Sequence, residues 1–359
     1  MRVLQLIDSL RPGGAEKMAV TYANALVGQV EGSYLCCSRM EGMLKESLMP
    51  GVEYLFLNKK SSLDIKAILK LRSFIKSRQI TIVHAHSTSF FLAGCLKFTG
   101  LKFKLVWHDH YGESELLKER DFKVLKIFSG LFSGIISVNT QLKEWAEQHL
   151  ECRNMVEIKN FIPESISVIN SGIRLKGKED DFKIICVANL RPQKDHLNLI
   201  KAFESLSTDL PWSLHLIGED PGTQYSNSIL SFIKDSPLME NIYYYGAQSE
   251  ILSLLQQADL GILSSRSEGL PVALLEYGMA GLPVVCTRVG QCTEVIGQNG
   301  ILVEPNNPKT LADGILFYME NKEKRKLDAE NYQVCVMENY SQEAVIKSIV
   351  EFYNNLGQE

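Results

Sequence analysis

The stretch SSRSEGLPVALLEYGMAGLPVV, residues 264–285, carries the clearest structural signal in the chain. It follows one short apolar run, crosses a loop, continues as a helical pattern over residues 272–280, and ends in a second apolar run. Pro271 stands at a first-turn position of the predicted helix, where its missing N–H group costs no hydrogen bond. Glu268 precedes the helix, and Glu276 lies inside it, eight residues later. That offset is slightly over two helical turns, so both carboxylates can line one side of a ligand.

The neighbours of Glu276 leave two interpretations open. They are strongly apolar, with Leu274, Leu275 and Met279 close by in the helix. A carboxylate there needs hydrogen-bond donors, because burying it unpaired is severely unfavourable. The hydroxyls of a ribose would supply such donors, whereas an incidental Glu on an amphipathic helix is the structural alternative.

The same alternation of apolar runs and amphipathic stretches extends over the whole chain. This spacing predicts βαβ units and parallel sheets covered on both faces, an α/β fold. We predict strands at residues 3–7, 34–38, 52–57, 80–86, 103–108 and 135–139, and again at 182–189, 213–218, 242–246, 260–265, 283–287 and 301–305. We predict helices at residues 15–27, 62–76, 89–98, 116–132 and 141–149, and again at 196–206, 224–233, 250–257, 272–280 and 310–319.

The rhythm is interrupted once, in the polar and charged segment 163–181, which we interpret as a linker. It predicts two doubly wound, Rossmann-like domains, residues 1–164 and 165–340, that face each other across a cleft. Ligands of such sheets lie at the carboxyl ends of the strands. A final amphipathic helix is predicted from residue 341 to about 354.

The composition excludes several classes of protein. The chain has 359 residues, 45% of them hydrophobic and 22% charged, which is typical of globular proteins and unlike disordered, collagen-like or coiled-coil chains. No apolar run approaches the ~18–20 residues of a membrane helix. The first residues lack a signal-peptide pattern, so we expect a cytoplasmic protein. The eight cysteines form no C-x-x-C pair and are expected to be buried and reduced.

Charge is divided unevenly along the chain, whose formal net charge is −4. Residues 1–164 contain 22 basic and 17 acidic side chains, and the remainder contains 16 and 25. Within residues 59–126 the counts are 14 and 6. A basic face suggests a polyanionic or membrane-surface partner for the first half, and a solvated lysine-rich face is the alternative.

Two further segments follow predicted strands and precede helices. In SLRPGGAEK, Gly13 and Gly14 permit positive φ and close backbone approach, so phosphate contact and a plain Gly-Gly turn both fit. This is not the G-x-G-x-x-G fingerprint, which disfavours a nicotinamide-dependent oxidoreductase. In CVANLRPQKDH, Arg191 and Lys194 lie beside a helix N-terminus and could clamp a diphosphate, although cations are common on surface loops.

A histidine cluster ends the strand in LVWHDHYG, where His108 and His110 flank Asp109. It is weak evidence for zinc, because no third ligand stands at metal spacing nearby. A structural histidine is the alternative for either ring, as it is for His84 and His86 in IVHAH. A sugar hydroxyl or a phosphate is the usual partner of a strand-end histidine in a cleft.

These segments together resemble a known family. SEGLPVALLE, with Glu268 and Glu276, is similar to the E-x7-E motif of the retaining glycosyltransferases of family 4, which have the GT-B fold. The resemblance covers nearly the whole chain, through the RPGGAE loop, the H-D strand end, the Lys194 loop and the segments GLPVVCTRVG and GILVEP. It implies that residues 1–164 bind the acceptor, that residues 165–340 bind a nucleotide-diphosphate sugar, and that residues 341–359 cross back to the first domain.

The resemblance also implies roles for individual residues. His108, Lys194 and Glu268 would be catalytic, with His108 near the reacting sugar and Lys194 on the donor diphosphate. One departure concerns the family's G-R-L, which is Ala188–Asn189–Leu190 here, so that Asn189 replaces a cation that Arg191 could restore. The expected donor-binding residues are Gly13, Gly14, Asn189, Arg191, Lys194, Gly246, Ala247, Glu268, Gly269, Leu270 and Glu276.

The implied reaction is transfer of a sugar, with retention of configuration, to a saccharide or a polyprenyl-diphosphate-linked acceptor in bacterial surface polysaccharide synthesis. No D-x-D motif is present and Lys194 can stabilise the leaving group, so we expect neither a metal nor another cofactor. A sugar-nucleotide epimerase or hydrolase is the main alternative, and a non-catalytic sugar-binding protein is a weaker one. We expect no nucleic-acid partner.

A membrane surface is a second hypothesis for the first half. The segment LLKERDFKVLKIFSGLF, residues 116–132, mixes cations with Leu, Phe and Ile, as a domain resting on anionic lipid does. The protein would then lie at the inner face of the cytoplasmic membrane. A buried helix with a charged outer side is the alternative.

Overall fold

The computed structural model describes residues 1–163, 172–206, 208 and 210–356. The chain divides into two compact units, one formed by Met1–Pro163 with Gln342–Glu359 and the other by Glu164–Ser341. The first eight residues of the predicted linker, after Pro163, lie outside the described residues, and residues 172–181 form neither helix nor strand. Each unit contains its own parallel sheet and its own core.

The first unit is built on a seven-stranded sheet in the order β3-β2-β1-β4-β5-β6-β7. All neighbouring strands are parallel, and their side chains are mostly buried, as sheets covered on both faces require. The strands are β1 (Arg2–Ser9), β2 (Gly32–Met40), β3 (Val52–Phe56), β4 (Ile82–His86), β5 (Lys104–Asp109), β6 (Gly134–Ser137) and β7 (Met155–Glu157). The sequence pattern missed the three-residue β7.

Five helices connect these strands: α1 (Gly14–Ala25), α2 (Ile65–Ser77), α3 (Phe90–Lys97), α4 (Lys123–Ser129) and α5 (Thr140–His149). Asp64 caps α2 and Asn139 caps α5, each accepting a hydrogen bond from a first-turn N–H group. Leu71, Leu92, Trp107 and Ile135 lie among the buried residues of the core between helices and sheet.

The prediction of one helix over residues 116–132 was wrong. The chain forms a 3₁₀ turn at Ser114–Glu119, leaves helical geometry at Arg120, and begins α4 only at Lys123. The cause is an inward-turned Arg120, whose guanidinium makes two hydrogen bonds of 2.7 and 2.8 Å to the carboxylate of Asp109. A continuous amphipathic helix would leave this cation on its outer face, so the buried ion pair overrides the local helical pattern.

The second unit repeats the architecture with a six-stranded parallel sheet in the order β10-β9-β8-β11-β12-β13. Its strands are β8 (Phe182–Val187), β9 (Trp212–Ile217), β10 (Ile242–Tyr244), β11 (Leu260–Leu263), β12 (Val284–Thr287) and β13 (Ile301–Val303). Its helices are α6 (His196–Glu204), α7 (Gln224–Asp235), α8 (Ile251–Leu255), α9 (Val272–Met279), α10 (Cys292–Ile296), α11 (Pro308–Glu320) and α12 (Lys322–Tyr340). Pro271 is the N-cap of α9 rather than a residue of its first turn.

The final helix, α13 (Gln342–Asn355), belongs to the first unit although it follows the second in sequence. Its Tyr353 hydroxyl lies 2.6 Å from Nδ1 of His84 on β4, and both groups are buried. A side chain at Gly134 on β6 would collide with Phe352 and Leu356 of the helix. Helix α13 is therefore held by contacts with residues of β4 and β6.

Both sheets reverse their strand order at one point, between β1 and β4 in the first unit and between β8 and β11 in the second. Ligands of doubly wound sheets bind beside the carboxyl ends of the strands at such points. We therefore expect ligand-binding residues directly after β1, β4 and β5 in the first unit and after β8 and β11 in the second.

The Asp109–Arg120 pair should be essential for the stability of the first unit. Its side chains are only 2% and 8% exposed, so Arg120→Met would strand a buried carboxylate. We expect the free energy of unfolding to fall by about 3–5 kcal/mol. Urea denaturation followed by tryptophan fluorescence measures this, because the guanidinium lies over the rings of Trp107 and Trp145.

Arg78→Met is the matched control, since its pair with Glu53 is 45% and 42% exposed. We expect that variant to lose no more than about 1 kcal/mol. Equal losses in the two variants would contradict the role assigned to Arg120.

Candidate functional site

In the second unit, the loop after β8 lies against the loop after β11. Nζ of Lys194 is 2.5 Å from Oε1 of Glu268, and Oγ of Ser265 donates to the same oxygen at 2.6 Å. The Glu268 side chain is 5% exposed, whereas Lys194 retains 22% of its surface. The predicted diphosphate-binding cation is therefore oriented by one of the two predicted acids.

A second ion pair joins the same two loops. Arg266 holds both carboxylate oxygens of Asp195, at 2.6 and 3.0 Å, and its backbone N–H donates to the carbonyl of Gln193. Asp195 has a left-handed backbone, with φ of 48°, and its carboxylate caps the N-terminus of α6. The N-terminus of α6 already holds an anion. In this loop, Lys194 is therefore better placed than the helix end to bind a diphosphate.

Asn189, which stands in the place of the family's arginine, has a structural partner. Its Oδ1 accepts a hydrogen bond of 2.8 Å from the backbone N–H of Glu219, in the loop after β9. Arg191 is exposed, and among the described residues its side chain has no ion-pair partner. The backbone N–H of Arg191 donates to the carbonyl of Asn189 at 2.7 Å, while the exposed guanidinium stays accessible to a ligand.

In the segment SEGLPVALLE, Gly269 and Leu270 precede the N-cap residue Pro271 of α9, and Glu276 is half-buried inside the helix. Gly290, in the loop after β12, lies against this segment with φ of +48°. A Cβ at Gly290 would lie 2.1 Å from the carbonyl oxygen of Glu268. Close backbone approach therefore fixes the position from which Glu268 reaches Lys194.

The loop with the expected donor-binding residues Gly246 and Ala247 follows β10. Gly246 has φ of +67°, and its carbonyl accepts a hydrogen bond from the N–H of Gly218 at 3.0 Å. Gly218 in turn approaches Ala188 so closely that a Cβ there would lie 2.0 Å from the Ala188 carbonyl oxygen. The loop containing Gly246 and Ala247 is therefore adjacent to the end of β8.

In the first unit, Gly13 and Gly14 begin α1 without the positive φ that glycine permits. Gly13 is extended, with φ of −162°, and a side chain on it would collide with the carboxylate of Glu16. Gly14 has open space where a Cβ would be. An acid thus lies at the helix end where the sequence suggested a phosphate.

The ends of β4 and β5 bring four histidines together. Nε2 of His84 is 3.1 Å from Nδ1 of His108, and Nδ1 of His86 is 2.9 Å from Nε2 of His110. Nε2 of His86 also lies 2.8 Å from Oε1 of Gln5 on β1. In the sequence these rings belong to two separate segments, and the pairing of β4 with β5, which aligns His86 with His108, brings them together.

Burial keeps these imidazoles neutral. Desolvation is the main cause that lowers the pKa values of His84, His86 and His108 well below the usual range, and neighbouring histidines lower them further. Desolvation also lowers the pKa of His110, to about 3. Each ring therefore carries one N–H group and one lone pair at neutral pH.

His108, the predicted catalytic histidine, is fully buried. The half-buried His110 instead lines a pocket of about 440 Å³ beside the end of β5, together with the ion-paired Asp109 and Arg120. Three aromatic side chains complete much of its wall: Phe90, Trp107 and Tyr111. A signal for His110 was present in the sequence, because it follows the last residue of the strand, where a side chain first reaches solvent.

Three of these histidines lie close enough together to resemble a metal site. Ligand atoms of His84, His86 and His108 all lie within 4.8 Å of one another, although the sequence showed no third ligand near His108. The rings are nearly parallel, with angles of 10° between His84 and His108 and 23° between His84 and His86. Parallel rings joined by hydrogen bonds do not direct their lone pairs to one centre, which favours a hydrogen-bonded cluster.

Comparison with known families places this chain. The sequence model described as Glycosyltransferase Family 4 matches residues 12–166, and the model described as Glycosyl transferases group 1 matches residues 173–333. Together the two models cover most of the chain, and apart from three residues at the end of the first match, each corresponds to one of the two structural units. The chain belongs to the glycosyltransferases that these two models together describe.

Two relatives illustrate the range of this group. The chain is 26% identical to N-acetyl-alpha-D-glucosaminyl L-malate synthase of Bacillus anthracis, over 56% of its own length and 54% of that protein, so it spans about half of this relative. It is 24% identical to an Escherichia coli enzyme, UDP-Gal:alpha-D-GlcNAc-diphosphoundecaprenol alpha-1,3-galactosyltransferase, over 72% of this chain and 71% of that protein.

Solved structures share the fold over the full length. HepE of Anabaena, crystallised with UDP-glucose, superposes with a TM-score of 0.80 and 19% identity, covering 99% of this chain and 100% of that one. This likeness confirms the predicted fold of two Rossmann-like domains.

No helix among the described residues is long and apolar enough to cross a bilayer.

Gly290 provides a test of the backbone that carries Glu268. Gly290→Ala would add both left-handed strain and a collision with a carbonyl oxygen, so we expect it to destabilise the protein by more than the roughly 1–3 kcal/mol of strain alone. Gly222→Ala is the control, because Gly222 has φ of +67° but open space at the Cβ position. Thermal unfolding of both variants compares them. A Gly290→Ala midpoint no lower than that of Gly222→Ala would contradict the close approach.

Proposed function

We propose that the protein transfers a sugar from a nucleotide-diphosphate sugar to an acceptor hydroxyl, with the donor on the second unit and the acceptor on the first. The observation that carries this proposal is the Lys194–Glu268 arrangement, a partly exposed cation held 2.5 Å from a buried carboxylate at a strand-order reversal. A diphosphate needs such a cation, and sugar hydroxyls need such an acceptor. The UDP-glucose in HepE and the UDP-Gal named in the E. coli relative support a nucleotide sugar as donor.

The chemistry follows from where charge develops. As the anomeric C–O bond breaks, negative charge builds on the departing diphosphate, and Lys194 stabilises it with support from Gly269 and Leu270. The acceptor oxygen forms the new C–O bond on the same face, and its proton passes to the leaving phosphate. Configuration is thus retained, as the resemblance implies, and no metal ion is required because Lys194 supplies the positive charge. Glu276 would hold the ribose hydroxyls.

On the acceptor side, we propose that His110 contacts the substrate and that His108 supports it from behind. The two rings stack with centroids 3.9 Å apart, and His110 is the one that lines the pocket. The aromatic wall formed by Phe90, Trp107 and Tyr111 suits the apolar face of a sugar ring. A lipid-linked saccharide is the acceptor class that the E. coli relative names, and surface polysaccharide synthesis is the corresponding role.

Replacing Lys194 or Glu276 tests the donor site. Losing one preorganised charge at a leaving group raises the barrier by about 2.7–4 kcal/mol, so we expect Lys194→Ala to reduce turnover by about 10²–10³-fold. Glu276→Ala should weaken donor binding by orders of magnitude, because the ribose loses its acceptor. Transfer of labelled sugar and calorimetry of nucleotide binding measure the two effects.

Lys201→Ala serves as the control, since this exposed lysine lies on α6 outside the site. Near-wild-type activity in both site variants would overturn the assignment. Product formed from the donor alone, without acceptor, would indicate an epimerase or a hydrolase instead.

We also propose that one face of the first unit rests on anionic lipid. The helix α3 packs between α2 and α4, and large apolar side chains stand exposed on this layer, including Ile65 at 70%, Phe98 at 75% and Ile127 at 77%. Exposed lysines accompany them at Lys66, Lys123 and Lys126. Apolar side chains among cations are what an anionic bilayer surface binds.

Flotation with anionic vesicles tests this surface. We expect binding at low salt that weakens as salt rises, and its loss in the double variant Phe98→Ser with Ile127→Ser. Phe317→Ser is the control, because Phe317 is also exposed, at 42%, but lies in the second unit. Absence of binding at low salt would refute the proposal.

A further inference from the structure

The polar groups behind the pocket form a chain that begins at β1. Oε1 of Gln5 is 2.8 Å from Nε2 of His86, and Nδ1 of His86 is 2.9 Å from Nε2 of His110. Gln5 and His86 are fully buried, and only His110 reaches the pocket. Water therefore has no access to the inner links of this chain, and the protons must be distributed among its own atoms.

The carbonyl oxygen of Gln5 determines that distribution. A carbonyl oxygen only accepts, so Nε2 of His86 carries the proton and donates it. A neutral ring has one N–H group, so Nδ1 of His86 carries a lone pair. This lone pair accepts a hydrogen bond from Nε2–H of His110. Nδ1 of His110 then carries a lone pair as well.

Tyr353 of α13 supports this orientation of the Gln5 amide. Burial raises the pKa of the phenol, and the nearby Gln5 side chain partly offsets the rise. Among the described residues Nε2 of Gln5 has no hydrogen-bond partner, and it is Oε1 that lies 2.8 Å from Nε2 of His86. The hydroxyl itself lies 2.6 Å from Nδ1 of His84. The carbonyl oxygen of Gln5 is thereby left toward His86.

Nδ1 of His110 has no hydrogen-bond partner among the residues that the structure describes. Of the charged side chains that line the pocket, Asp109 and Arg120 pair with each other, and Asp121 adds a carboxylate that repels anions. His110 therefore offers the pocket an uncharged acceptor. A hydroxyl can donate to it, whereas a phosphate or carboxylate oxygen, which carries no proton at neutral pH, meets a lone pair.

We propose that Gln5, acting through His86, holds His110 as the Nε2–H tautomer, so that the pocket selects a substrate hydroxyl and rejects an anionic oxygen. Gln5 and His86 are positioning residues, and His110 is the residue that contacts the substrate. The identity of that substrate as a sugar hydroxyl rests on the function proposed above. The tautomer itself does not.

Nuclear magnetic resonance of the full chain with ¹⁵N-labelled histidine tests the tautomer directly. Two-bond ¹H–¹⁵N correlations distinguish an Nε2–H ring from an Nδ1–H ring, and the signals of His110 are identified by their loss in His110→Asn. We expect the wild-type protein to show His110 purely as the Nε2–H tautomer at neutral pH. An Nδ1–H tautomer, or zinc retained by the histidines through dialysis, would overturn the proposal.

Two variants then examine the chain. Gln5→Met removes the acceptor while filling a similar volume, and it should give a mixture of His110 tautomers and about tenfold lower kcat/KM for transfer. Tyr22→Phe is the matched control, because Tyr22 is buried against the same rings but its hydroxyl has no hydrogen-bond partner among the described residues. It should change neither quantity.

An unchanged tautomer in Gln5→Met would contradict the role of Gln5. Should Gln5→Met not fold, the wild-type spectrum alone still decides the tautomer. If the wild-type spectrum is as expected but no sugar is transferred, the proposed function fails while the tautomer stands, so the two failures are distinguishable.

Discussion

The second unit depends on one contact, the hydrogen-bonded ion pair between Lys194 after β8 and Glu268 after β11. It joins the two loops at the point where the strand order reverses, and the Asp195–Arg266 pair reinforces it. The half of the chain that contains this site is acidic, so its overall charge repels a diphosphate. Affinity must therefore come from the local geometry that holds one lysine in place, and the close approach of Gly290 to the Glu268 backbone is part of that geometry.

The two units share one sheet topology, but the side chains at their strand ends differ in charge. Where the strand order of the second sheet reverses, charged side chains form ion pairs. We propose that an ionic ligand replaces one partner of such a pair. In the first unit, the corresponding strand ends carry histidines that burial keeps neutral, and the adjacent Asp109 is paired with Arg120. A charged donor and an uncharged acceptor hydroxyl are the substrates that these two environments suit best. Exposed lysines such as Lys66 on α2 and Lys126 on α4 do not line this pocket.

Much of the fold could be predicted from the sequence, because apolar runs and amphipathic stretches reflect burial directly. The alternation located all six strands of the second sheet and six of the seven in the first. It failed at residues 116–132, where the pattern was helical but the pairing of Arg120 with Asp109 broke the helix. The site was harder to predict: Gln5, His86, His110 and Tyr353 are separated by up to hundreds of residues, and only strand pairing and the return of α13 bring them together. Asn189 was recognised as a departure, but its partner, the backbone of Glu219, has no signal in sequence.

The most direct test of the account is thermal stabilisation of the protein by nucleotides, measured with UDP, GDP and ADP and their sugars, in the presence of a chelator. We expect one nucleoside diphosphate and its sugar to raise the unfolding midpoint without added metal, and Lys194→Ala to abolish that shift. If no nucleotide stabilises the wild-type protein, or if stabilisation is equal in Lys194→Ala, the donor site is not where we place it.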